Sequence, residues 1–83
     1  MEKRLGFIGI ILENRKASAE LVNKTLSEFG DSIIARTGIP YQKKSCCVIT
    51  LVIDMTTDVL GVLTGRLGMI DGVTVKSALS KGK

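Results

Sequence analysis

The chain has 83 residues, 45% of them hydrophobic and 24% charged, with three aromatic side chains (Phe7, Phe29 and Tyr41) and no Trp or His. That length supports one domain, spanning 1–83, with a core only just sufficient to hold it, and the composition excludes a mainly disordered chain. The absence of His removes the commonest general base and the commonest metal ligand together. The formal charge is +4, but between Leu5 and Ser80 eight basic residues face seven acidic ones. The excess sits in the termini, at Lys3, Arg4, Lys81 and Lys83, which reads as solvated tails rather than a nucleic-acid footprint.

No apolar run is long enough to cross a bilayer. Glu2 interrupts any secretory n-region, and no small-residue cleavage site follows the first apolar run. Two cysteines without a disulfide framework fit a reducing compartment, so the expected location is cytoplasmic.

In chain order, Leu5 to Leu12 ("LGFIGIIL") is a short apolar run flanked by charges, which predicts a buried strand. "ENRKASAELVNKTLSEFG" then changes period. Leu21, Val22, Thr25, Leu26 and Phe29 share one helical stripe, and Gly30 supplies a stop. A weaker strand is predicted over Ser32 to Thr37, ended by Gly38 and Pro40. Tyr41 to Lys44 is a polar turn into a long strand at Ser45 to Met55. Thr56, Thr57 and Asp58 offer a cap and first-turn acid for a second helix, whose buried stripe is Leu60, Leu63, Leu67 and Ile70. Asp71 and Gly72 turn the chain into a last strand, Val73 to Leu79.

This β-α-β-β-α-β order predicts an α+β ferredoxin-like sandwich, a four-stranded antiparallel sheet with both helices on one face. Strands 1 and 3, the most apolar, take the centre. Alternation places Cys47, Ile49, Leu51, Ile53 and Met55 towards the helices, with Ile8, Ile10 and Leu12 beside them. Phe7, Ile11, Val48, Thr50 and Val52 are left on the open face, around Gly9. An antiparallel sheet with one wet face normally carries polar residues there. The open face spans roughly 350 Å² when flat, the range in which an apolar patch marks a contact. A second copy of the chain is the simplest cover, so a homo-oligomer is expected, dimer or tetramer, through sheet faces or sheet edges.

Cys46 and Cys47 are neighbours in a strand and point to opposite faces, so they do not chelate one metal together. Packing explains them; a metal or redox role across an interface is the alternative. In "LENRKAS", Arg15 and Lys16 lie at the positive end of the first helix. The plain reading is a solvated loop capped by Asn14 or Ser18; the alternative is that exposed amides and cations there hold a carboxylate or phosphate. Gly61 and Gly65 share a face of the second helix, which predicts close packing against a neighbouring element. Tyr41 reads as a surface aromatic by a turn, or as the wall of an interface.

The stretches "IGIILENRKASAELVNKTLSEFG" and "GRLGMIDGVTVKSALSK" resemble the opening and closing parts of ACT domains. With "TGIPY" and "TTDVLGVLTGRLG", nearly the whole chain resembles a small stand-alone family of iron-only hydrogenase system regulators, grouped with the C-terminal domains of nickel-responsive repressors. The resemblance implies an ACT-like fold, assembly through the sheet and a regulatory role near hydrogenase maturation. It also implies that Glu13, Asn14 and Arg15 form an effector loop for a small anionic or amino-acid-like ligand. Ala17 and Ser18 stand near the place of the glycine usual in that loop. The repressors' nickel ligands, histidines with a cysteine, have no histidine counterpart here.

The leading reading is therefore an oligomeric regulatory module that senses a small ligand or contacts a protein partner, without catalysis, metal or cofactor. A nucleic-acid-binding domain of the same topology is the alternative. It would need stacking aromatics on both central strands, where only Phe7 qualifies.

Overall fold

Strand β1 (Arg4–Glu13) buries alternate residues, Ile8, Ile10 and Leu12, because side chains of a strand point by turns to opposite faces. Strand β3 (Cys46–Met55) does the same with Ile49, Leu51, Ile53 and Met55. The computed structural model describes residues 2–81. Its remaining elements are α1 (Lys16–Ser27), β2 (Ile33–Tyr41), α2 (Thr57–Gly68) and β4 (Val73–Leu79), with 3-10 turns at Gly30–Ser32 and Gln42–Lys44. The sheet order is β2-β3-β1-β4, antiparallel throughout. This is the α+β ferredoxin-like arrangement.

Val22 and Leu26 of α1, with Leu63 and Leu67 of α2, close the core over the inner face of the sheet. Thr56 caps α2 through its hydroxyl, which accepts from Val59 N at 3.1 Å, and Asp58 lies in the first turn. Helix α1 starts otherwise. Arg15 occupies its N-cap position with extended dihedrals and no side-chain bond, so neither Asn14 nor Ser18 is the cap. The Ser18 hydroxyl is buried and donates instead to Asp71 O at 2.8 Å, tying α1 to the turn before β4.

Four further expectations need correction. Leu21, assigned to the buried stripe, is exposed, because that stripe narrows to Ser18, Val22, Thr25 and Leu26. Helix α1 ends at Ser27 and is followed by a 3-10 turn, so Gly30 begins that turn rather than terminating the helix. Strand β2 runs past Gly38 and Pro40 to Tyr41; as an edge strand it has an outer side on which a missing N–H breaks no ladder bond. Finally, a Cβ on Gly61 or Gly65 would meet nothing within 4 Å. The two glycines lie on the outer surface of α2 and not against another element of this chain.

Candidate functional site

The end of β1 is held where three segments meet. Glu13 N donates to Gly72 O and Asn14 N to Ser45 O, both at 2.9 Å. Gly72 takes φ +77, and a Cβ there would lie 3.1 Å from the Glu13 Cβ, so glycine serves both the turn and the close approach. The chain then bends sharply: Arg15 N donates back to Glu13 O at 2.7 Å. The side chains repeat the link, Arg15 Nη2 donating to Glu13 Oε1 at 2.7 Å in a half-exposed ion pair.

Glu13, Asn14 and Arg15 line a cleft of about 180 Å³. The cleft runs along one face of α1, past Arg15, Ala19 and Asn23, above Leu12, Cys47 and Ile49 of the sheet. Arg36 of β2 closes it, with Nη2 donating to Asn23 Oδ1 at 2.6 Å.

Asn23 and Arg36 are the residues that sequence reasoning missed. Asn23 follows Arg15 by two helical turns and so shares its face, a signal that was available. Arg36 had none. Simple alternation from Ile33 would send Ala35 and Thr37 inward and Arg36 outward. A bulge between Ile33 and Ala35 shifts the register, so Ala35 pairs with Val52 and Arg36 with Leu51. Arg36 thereby joins the helix side of the sheet.

The second candidate surface is the open face. Phe7 pairs with Val52, Gly9 with Thr50 and Ile11 with Val48, so all five residues assigned to an interface stand side by side. Phe7 is 56% exposed, Ile11 48%, and Val48 and Val52 38% each. Strand β4 adds Ala78, Lys76 and Thr74 in the same rows, and β2 adds Ala35, Thr37 and Ile39. Ile39 was missed because its strand was ended too early. Tyr41, opposite Cys46, ends the outer row on the sheet rather than standing on the following turn. Where β1 begins and β4 ends, Leu5, Phe7, Val52, Ala78 and Leu79 wall an apolar hollow of about 420 Å³.

The cysteines divide between the two surfaces. Cys47 packs against the core and lines the cleft, whereas Cys46 sits on the other side, opposite Glu13. Both are free thiols. Among the described residues no group of three His, Cys, Asp or Glu side chains is placed to hold a metal ion. No described helix is long and apolar enough to cross a membrane.

Comparison with known proteins adds the following. Residues 4–77 match the model of the TM1266-like family, iron-only hydrogenase system regulators. The solved structure of the uncharacterised protein TM1266 from Thermotoga maritima is 36% identical, with a TM-score of 0.94 over 96% of this chain and 100% of that one. The ACT domain of the GTP pyrophosphokinase of Chlorobium tepidum is 24% identical, with a TM-score of 0.77 over 92% and 99% of the two chains. The C-terminal domain of the MgtC protein from Mycobacterium tuberculosis is 15% identical, with a TM-score of 0.74 over 96% and 90%. These last two share the fold. No curated protein matches.

Proposed function

The chain belongs to the TM1266-like family of iron-only hydrogenase system regulators, and we propose from that membership that it is an oligomeric, non-catalytic regulatory module of the cytoplasm. It assembles through the open face of the sheet, and its Glu13-Asn14-Arg15 loop binds a small effector or presents the effector state to a protein partner. One observation carries the reading: Phe7, Ile11, Val48 and Val52 are exposed on one face of the two central strands, in pairs on either side of Gly9 and Thr50, with both helices on the opposite side. An isolated subunit would leave that surface in water at a cost of about 25 cal/mol per Å² of apolar area. The loop supports the second half, since it is pinned by backbone bonds at Glu13 and Asn14 while its side chains stay accessible.

Assembly is tested by light scattering on the purified protein. A dimer or tetramer is expected, and Val52→Asp, which puts a charge into the middle of the face, should leave a folded monomer. A wild-type monomer at high concentration would sink the reading. Effector binding is tested by thermal shift against amino acids, organic acids, metals and nucleotides. A ligand at 100 times its dissociation constant should raise stability by about 2.7 kcal/mol, and Arg15→Ala should remove that gain.

A further inference from the structure

We propose that the cleft beside α1 takes a short dicarboxylate, gripped at one end by Arg15 and at the other by Arg36, and that it discriminates against amino acids. This rests on the reading of the cleft as the effector site and gives the effector its chemical class.

The charges around the cleft carry the argument. Two guanidinium groups line it, Arg15 and Arg36, and a single carboxylate, Glu13. That carboxylate is already engaged by Arg15 at 2.7 Å. An entering ammonium group would therefore find no unengaged anion, and an α-amino acid would lose one of its two ionic contacts. Arg36 is in the opposite condition. Its partner at 2.6 Å is the neutral carbonyl of Asn23, and among the described residues no carboxylate forms an ion pair with it. Asn23 holds one edge of the guanidinium and leaves N–H donors over, in a planar fork that matches a carboxylate. Arg15 likewise spends Nη2 on Glu13 and keeps its other donors.

The Arg15 end has a further source of positive potential. Helix α1 begins there with no side-chain cap and no acidic residue in its first turn, so its first amides and its dipole are uncompensated. Size and spacing restrict the ligand. Arg15 and Asn23, to which Arg36 is tied, are two turns apart, about 12 Å along the helix axis. A volume of about 180 Å³ corresponds to about six water molecules. That accommodates a diacid such as succinate, whereas a nucleotide would project well beyond the cleft. Between the charged ends the cleft is lined by Leu12, Ala19 and Ile49, apolar contacts suited to methylene groups.

The test is a titration of the isotope-labelled protein with succinate, acetate and alanine, followed by amide shifts. Succinate should move Asn14, Arg15, Asn23 and Arg36 and bind about ten-fold or more tightly than acetate or alanine. Arg36→Gln should weaken succinate by about ten-fold or more, with Arg36→Lys between it and wild type because charge remains but the fork is lost. Arg36 is exposed, so both variants should keep the wild-type spectrum. Acetate binding as well as succinate would overturn the two-ended grip. Alanine equalling succinate at the same residues would overturn the chemical class while leaving the cleft as the effector site. If none of the three moves these residues, the proposal falls. If, in addition, the ligand found by thermal shift perturbs only another surface, the effector reading falls as well.

Discussion

Leu51 and Val52 are neighbours in β3, both aliphatic, yet Leu51 is sealed beneath the helices and Val52 stands on the open face. The same contrast separates Ile8 from Phe7 in β1. Both sides of the central strands carry large apolar side chains, although the open side also has Thr50 and Lys76, and the two differ most in what lies over them. Two helices cover one side of a four-stranded sheet, and nothing in the described chain reaches the other. An apolar pattern therefore states that a surface needs cover. It does not say whether the cover is intramolecular.

Substitutions at matched positions on the two faces break or sharpen this contrast. The largest effect is expected for Leu51→Ala, which should lower stability by about 2–5 kcal/mol at every protein concentration, read as a reduced urea midpoint with an unchanged slope. Val52→Ala should cost about 1 kcal/mol or less in dilute protein and, under the proposed assembly, more as concentration rises. Equal, concentration-independent losses at the two positions would erase the distinction between the faces.

Glycines of β1 give a second matched pair. A Cβ on Gly6 would lie 2.3 Å from Ala78 O and 2.7 Å from a Leu79 methyl, and backbone cannot yield cheaply. Gly6→Ala should destabilise by about 1–3 kcal/mol, measured by thermal or urea unfolding. Gly9, on the open side, has only Lys76 O at 4.0 Å. Gly9→Ala should leave the subunit's stability within about 1 kcal/mol and shift the assembly equilibrium seen by light scattering. The reverse ranking would mean that the strand packs differently from the register described above.

The smallest effect concerns α2. Because nothing in the chain approaches Gly61, Gly61→Ala should stabilise the helix by about 0.5–1 kcal/mol, visible as a modest rise in melting temperature. A loss of stability that grows with concentration would place a partner on this helix.

Much of the fold was legible because it depends on local chemistry. Thr56 as a cap, Gly72 as a turn and the alternation of β1 and β3 are decided by residues within a few positions of one another. The loop Glu13-Asn14-Arg15 is singled out by its resemblance to the effector loop of ACT domains, whereas its residues alone suggest a solvated loop or an anion site ahead of a helix. Its surroundings were less legible. Arg36 enters the cleft through a bulge, and Ile39 joins the open face because an edge strand tolerates Pro40. Both depend on pairing with β3, a partner contributed by a later part of the chain.

By itself, then, the sequence determined the order of elements, the inward-facing aliphatics and the surplus of apolar side chains on the central strands, since periodicity and turn chemistry act over short range. Tertiary structure alone decided which polar groups meet: Arg36 with Asn23, Ser18 with Asp71, and the end of β1 with Gly72 and Ser45. Such contacts form between segments far apart in the chain. Their geometry is set by strand register and helix placement, which no local pattern encodes.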